Sequence, residues 1–300
     1  MASTYCRDQI ANKKQMSSAS DNFYKAFEDQ HRGSREIIKA RLAVYVPFIK
    51  KIQSLHSPAQ ALDLGCGRGE WLELLQDNQF EASGIDLDDG MLSACRSRGL
   101  NVQTGDAITH LKSLPAQSLS IVSGFHIAEH LSLDDLQSLI QESLRVLKPA
   151  GLLILEVPNT ENLVVGTSSF YLDPTHQRPL PSALLSFLVG YLGFARSKVL
   201  GVQESVPLRE EHGPTSLFAV LSGVSPDYAV IAQKGGDVSA IASFDALFAK
   251  EYGLTLELLA NRYQERFDAI ERKTQLLEAR LNRIWKLLEP FKWAKSLFKK

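Results

Sequence analysis

Three glycines at alternate positions, Gly65, Gly67 and Gly69, follow the short apolar run Ala61-Leu62-Asp63-Leu64, and a helical pattern starts at Glu70. That order reads as strand, tight turn and helix. Glycine lets the turn take positive φ and lets a ligand come close to bare backbone. The helix N-terminus behind the turn presents unpaired N–H groups and the positive end of a dipole. A second apolar strand ends at Asp86, seventeen residues past Gly69. A carboxylate there can accept both hydroxyls of a ribose. The spacing therefore reads as a βα unit with a ligand at the carboxyl edge of a sheet, an ordinary glycine-rich loop being the alternative.

The alternation continues beyond this unit. Strands are expected at Ala61–Leu64, Ala82–Asp86, Val102–Gly105, Leu119–Gly124 and Leu152–Val157. Helices are expected at 70–76, 91–98, 108–114 and 133–147, the last with Leu136, Leu139, Ile140, Leu144 and Leu147 on one face. Lys148-Pro149-Ala150-Gly151 stops that helix. A further helix over Pro181–Phe194 precedes strands at Lys198–Val202 and Tyr228–Ala232, which suit an antiparallel closing hairpin. The fold class is α/β, a doubly wound, mostly parallel seven-stranded sheet covered on both faces.

The ends differ from the middle. Residues 1–20 are polar and serine-rich and read as a loose tail; Asp21 to Pro47 suggests one or two helices with a break near Gly33. The α/β domain runs over 21–236, followed by a helical linker, 237–257. Tyr263, Phe267, Ile270, Thr274, Leu277, Leu281, Ile284 and Leu288 then step alternately by four and three. That is a coiled-coil seam over 258–289, and a homo-oligomer is expected through it, although one amphipathic helix folded back on the domain has the same pattern. Pro290 should break the helix. The last segment, 290–300, mixes aromatics with lysines and could touch an anionic membrane surface peripherally or remain a soluble tail.

Charge and cysteines limit the setting. A formal net charge of −1 argues against a broad nucleic-acid footprint. Cys6, Cys66 and Cys95 are too scattered for a metal or redox motif and suit a reducing compartment. The amino terminus shows no apolar signal core, and no run approaches the roughly eighteen apolar residues of a spanning helix. A cytoplasmic protein is expected, either free or peripheral on the inner face of the plasma membrane.

Further chemistry clusters where strands end. Gly105-Asp106-Ala107 can bond an adenine amino group and ring nitrogen through the Asp106 carboxylate and a backbone N–H, or can simply be an acidic strand terminus. Phe125-His126-Ile127-Ala128-Glu129-His130-Leu131 follows the fourth strand. In a helix, His126, Glu129 and His130 would share a face. Asp173-Pro174-Thr175-His176 adds a carboxylate and an imidazole. Such a group can hold a divalent metal, act as a metal-free base, or merely start a helix. The candidate catalytic residues are His176, His130, Glu129 and Asp173. The candidate metal ligands are His126, Glu129, His130 and His176, for Mg or Mn. Arg35 could clamp a carboxylate or stand exposed, Trp71 is expected in the core, and Phe170-Tyr171 could line an acceptor pocket or pack inside.

The glycine spacing is Asp-x-Gly-x-Gly-x-Gly rather than the Gly-x-Gly-x-x-Gly of nicotinamide enzymes. It resembles the class I, Rossmann-like S-adenosylmethionine-dependent methyltransferases. The resemblance implies S-adenosylmethionine as cofactor, with Asp63 beneath its methionine part and Asp106 and Ala107 at its adenine. The implied cofactor set is Asp63, Gly65, Gly67, Gly69, Asp86, Leu87, Asp106, Ala107, Arg35 and Tyr24. The Glu129-His130 pair is similar to one in ubiquinone-pathway O-methyltransferases. With His176 it also resembles the metal site of small-RNA ribose 2′-O-methyltransferases, although His126 stands where those families carry glutamate.

Residues 21–202 resemble more closely a bacterial methyltransferase group that accompanies surface-polysaccharide assembly. The stretches that carry this are Phe23 to Glu28, Arg32 to Glu36, Asp63 to Trp71, Asp86 to Met91, Phe170 to His176 and Pro179 to Pro181. The layout of methyltransferase, coiled coil and basic tail is similar to that of O-antigen chain-terminating enzymes, but without kinase motifs. The resemblance implies a lipid-linked glycan acceptor, a sugar hydroxyl methylated at its end, and glycosyltransferases as partners, with no nucleic acid. The alternatives are O-methylation of a quinone precursor or an RNA ribose, and a non-catalytic coiled-coil scaffold.

Overall fold

The computed structural model describes residues 33–210 and 216–297, with side chains to Leu287. Seven strands form one sheet: β1 (Gln60–Leu64), β2 (Glu81–Asp86), β3 (Asn101–Thr104), β4 (Leu119–Phe125), β5 (Leu147–Pro158), β6 (Arg196–Val202) and β7 (Asp227–Gln233). Their order is β3-β2-β1-β4-β5-β7-β6. All run parallel except β7, which is antiparallel to both its neighbours, β5 and β6. The expected hairpin therefore exists, but β7 inserts between β5 and β6 and leaves β6 at the edge.

The central strands are mostly apolar because helices cover both faces. Successive residues of β5 divide between the two cores. Leu152 and Ile154 join Tyr45, Phe48, Ile49, Leu72 and Leu75 on one face. Leu153 and Leu155 join Leu136, Ile140, Leu188 and Tyr228 on the other. That is the two-residue period of a pleated strand.

Helices start where the strand-end chemistry dictates. Asp88 caps Asp89–Ser97 by accepting from Gly90 and Met91 N–H. Ser132 caps Leu133–Val146 through Asp135 N–H. Each cap satisfies donors that the first turn leaves unpaired. These turns bring the carboxyl ends of β1, β2, β3 and β4 to one edge.

Several boundaries differ from expectation. Helices Arg35–Leu42 and Val46–Leu55 flank a 3-10 turn at Ala43–Tyr45, so helix continues past Pro47. Pro47 lies in the first turn of the second helix, where its missing N–H is no loss. Residues 21–32, with Phe23, Tyr24 and Phe27, lie outside the described residues. The strand after the Leu133–Val146 helix begins already at Leu147, with a register shift against β4 between Leu119 and Ile121.

Two corrections concern the carboxyl-terminal third. Residues 238–249 are not a separate linker. Val238–Ala242 and Asp245–Ala249 are short helices that close the first core, where Phe244 is fully buried. Phe248 packs edge-on and Tyr252 tilted against Phe48, at ring-centroid distances of 6.2 and 6.1 Å. Nor does Pro290 end the last helix, which runs unbroken over Leu256–Leu297. A proline removes one backbone donor and bends a helix without always ending it.

Phe244 generates a prediction. Phe244→Ala leaves a cavity under the Phe48–Phe248 contact and should lower stability by about 3–5 kcal/mol. Urea denaturation checks this; a change below about 1 kcal/mol would mean that 238–249 are an appendage.

Candidate functional site

The glycine turn has the backbone its sequence requires. Gly65, Gly67 and Gly69 all take positive φ, at 67°, 48° and 78°. At Gly69 a side chain is also blocked by space, since a Cβ there would lie 2.5 Å from Leu100 Cδ1. Gly67 N–H donates to Asp86 Oδ2 at 2.8 Å, and Asp88 N–H donates to Asp86 Oδ1 at 2.9 Å. The Asp86 carboxylate is thus held rigidly between the turn and its own strand end. Each oxygen keeps a further lone pair for a ligand hydroxyl. Leu87 beside it is 75% exposed, an apolar surface at a polar edge that a flat base can cover.

Two more carboxylates flank the turn. Asp63 is buried and accepts from Ser123 Oγ at 2.7 Å, while Ser123 accepts from Trp71 Nε1 at 2.8 Å. Trp71 is therefore a core residue, as expected. Asp106 is exposed at the end of β3 and caps the helix begun by Ala107. The Thr109 side chain, and with it the Thr109 N–H that donates at 2.8 Å, hold the carboxyl below its usual range. Apposed carboxylates and bare amides suit a cationic nucleoside with a ribose.

Arg35 is placed differently from the expectation. Its guanidinium donates to Arg68 O at 2.9 Å and pairs with Glu70 at 3.2 Å and Glu73 at 2.6 Å. Arg98 joins at Glu73, so this network braces the outside of the turn. Arg35 is a support of the turn in this arrangement. Tyr24 lies outside the described residues.

One strand over, β4 pairs with β1 through Leu64 and Gly124 and leads into the second group. Here the structure corrects the expected helix. His126 takes φ of 56°, a left-handed conformation rare outside glycine, and only a 3-10 turn, Ala128–His130, follows. His126, Glu129 and His130 therefore do not share one helical face. They divide into two groups joined by Glu129.

In the first group three carboxylates flank His126. Its Nδ1 lies 3.1 Å from Glu129 Oε1 and its Nε2 3.8 Å from Glu156 Oε1. Asp227, at the start of β7, is the third. Glu156 also accepts from Tyr45 OH, and from Gln203 Nε2 at 2.7 Å. Burial works to lower the His126 pKa. The carboxylates of Asp227, Glu129 and Glu156 outweigh it and push the value up to about 10. Burial raises Asp227 to about 7 against the pull of His126. Sequence reasoning missed Tyr45, Glu156, Gln203 and Asp227. One signal was available: Glu156 is a lone charge inside the apolar run Leu152–Val157.

In the second group Glu129, His130 and His176 each bring one ligating atom within 4.8 Å of the other two. His176 Nδ1 lies 2.6 Å from Phe170 O. A carbonyl can only accept, so Nδ1 carries the proton and Nε2 keeps its lone pair in the neutral ring. That Nε2 lies 3.8 Å from Asp173 Oδ2 and 4.0 Å from Glu129 Oε1. Thr175 Oγ1 donates to Asp173 at 2.6 Å and accepts from His130 Nδ1 at 3.0 Å. His130 is thus locked in the same tautomer. Glu129 is fully buried, and its Oε2 has no hydrogen-bond partner among the described residues. Such an atom is costly to leave unmatched. His126 belongs to the other group, with Glu156 and Asp227. Phe170 is buried, whereas Tyr171 is 63% exposed beside this group.

Residues 61–151 match the family model described as a methyltransferase domain. The chain is similar in structure to an S-adenosylmethionine-dependent methyltransferase from Archaeoglobus fulgidus, with a TM-score of 0.61 and 33% identity, covering 71% of this chain and 100% of that one. A Mycolicibacterium smegmatis relative described as an S-adenosylmethionine-dependent methyltransferase is 29% identical over 61% of this chain and 72% of its own. A similarly described Mycobacterium tuberculosis protein is 27% identical over 61% of this chain and 67% of its own.

The charge on His126 is testable. Its pKa in the fold lies above the ordinary value of about 6.5. The imidazolium's contribution to stability therefore fades as pH rises from about 6.5 toward 10, while protonation of Asp227, held near 7, weakens the cluster on the acid side. Titration of the His126 ring by NMR should remain protonated through pH 8, and Asp227→Asn should move the midpoint toward 6.5. An ordinary midpoint in the unsubstituted protein would disprove the cluster.

Proposed function

The chain belongs to the S-adenosylmethionine-dependent methyltransferases, and from that premise we propose that it methylates a sugar hydroxyl of a surface polysaccharide, at the end of a lipid-linked glycan. Bound at the glycine turn, S-adenosylmethionine supplies an electrophilic methyl group on a cationic sulfur. Gly67, Asp86 and Leu87 would hold its nucleoside end, and Asp106 with Ala107 its adenine edge. The turn's neighbour in space is Ile127, whose Cδ1 lies 3.5 Å from where a Gly65 Cβ would be. The acceptor site therefore adjoins the segment carrying Glu129 and His130.

The observation that carries the reading is the pair of tautomer-locked imidazoles beside one buried carboxylate. A sugar hydroxyl is weakly acidic, so a nearby base must take its proton. His176 Nε2 is fitted to do this. Phe170 O anchors the opposite nitrogen, and Asp173 and Glu129 balance the charge the ring acquires. Exposed Tyr171 offers a ring on which a sugar face can stack. The unpartnered Glu129 Oε2 supports a second role for the same atoms: Glu129, His130 and His176 could hold Mg or Mn, whose charge would acidify the hydroxyl instead.

His176→Ala should reduce turnover by about 10²–10⁴-fold, while affinity for S-adenosylmethionine stays within a few-fold. Deuteromethyl transfer to surface glycan, read by mass spectrometry, measures this. Glycan from cells lacking the protein should also lose an O-methyl group. Unchanged glycan, or equal turnover by the variant, would refute the reading. Calorimetric titration with Mn(II) separates the two roles, since only a metal site loses uptake in Glu129→Gln.

A further inference from the structure

The carboxyl-terminal helix leaves the domain after a short anchored stretch. Leu259 is buried with Val220, Val224 and Leu254, and Tyr263 packs against them. Arg262 Nη1 donates to Leu208 O at 2.8 Å. These contacts fix the direction of the helix. Beyond them every residue from 270 to 287 is exposed. Phe267, Ile270, Leu277, Leu281 and Ile284 are each more than half exposed and form one stripe. An apolar stripe about 26 Å long on an exposed helix is unusual for a monomer.

The flanking charges say what covers it. With Phe267, Thr274 and Leu281 at a positions and Ile270, Leu277 and Ile284 at d positions, the g positions hold Arg266, Lys273 and Arg280. The e positions hold Glu271, Glu278 and Trp285. In a parallel, in-register pair, each g residue faces the e residue five positions on in the other helix. Arg266 then meets Glu271 of the second copy, and Lys273 meets Glu278, in both directions. In an antiparallel pair g faces g and e faces e, so cations would meet cations and carboxylates would meet carboxylates.

We infer that the helix is a parallel, in-register self-association element whose partner is a second copy of this chain. All catalytic domains then lie at one end of the assembly, because Arg262 and Leu259 set the same helix direction in each copy. Two or more active sites face one side, an arrangement suited to an acceptor presented repeatedly or on a surface.

The full chain in a Cys6→Ser background, with Ile284→Cys, tests the orientation. Cys66 and Cys95 are buried and do not compete. Parallel copies bring the two new thiols into one layer, so mild oxidation should give a covalent dimer in high yield. In an antiparallel pair centred on this stripe the thiols would stand more than about 20 Å apart. Light scattering on the unsubstituted chain should give at least twice the single-chain mass. Leu277→Asp with Leu281→Asp should reduce that mass to one chain without changing uptake of S-adenosylhomocysteine. Glu271→Lys with Glu278→Lys should do the same, and adding an Arg266→Glu, Lys273→Glu chain should restore a mixed assembly. A monomeric unsubstituted chain, an oligomer indifferent to the aspartates, or an oligomer without the cross-link would each overturn the inference.

Discussion

The bond from Gly67 N–H to the Asp86 carboxylate ties two adjacent parallel strands together where a ligand must sit. It needs a backbone that turns without side chains and a carboxylate ending the next strand in register. The pairing of Asp63 with Gly84 and of Leu64 with Ile85 provides that register. The candidate site residues are positioned from this junction. β4 lies on the other side of β1, and its end carries the His126–His130 segment toward the same edge. The ligand site of an open parallel sheet thus follows from strand order.

Electrostatics divides the edge into two regions. Around the turn, Asp63, Asp86 and Asp106 are each matched by donors, and they favour a cationic ligand. Around β4 and β5, Glu129, Glu156 and Asp227 flank the partly exposed His126, so that one imidazolium offsets part of a dense negative charge. The strained backbone at His126 serves this arrangement: its N–H donates to Glu156 O at 2.8 Å while its ring turns back to Glu129. Local strain is sustained where several partners hold one residue. Glu129 then faces His176 and His130 with its second oxygen unmatched, next to the bases on which the proposed proton transfer depends.

The glycine turn and the carboxylate that faces it were legible in the sequence because they are local. Gly65, Gly67, Gly69 and Asp86 act through spacing along two consecutive strands, and spacing is visible in one chain. The base site was legible in residue identity but not in arrangement. Nothing nearby announced that His126 would adopt positive φ, or that Tyr45 would reach Glu156 across 111 residues. Asp227 enters because β7 inserts beside β5, a topological fact that no local pattern encodes. Phe244 likewise joins the core from a segment whose composition looks like a linker. The last helix shows the converse. Its heptad period was clear, yet the proline expected to end it lies within it.

Calorimetry with S-adenosylhomocysteine tests the central claim most directly, comparing the full chain with Asp86→Ala. The unsubstituted chain should take up one equivalent per chain, and the variant should bind far more weakly while remaining folded. No uptake by the unsubstituted chain, or equal uptake by both, would contradict the assignment of the glycine turn and its carboxylate as the nucleoside site.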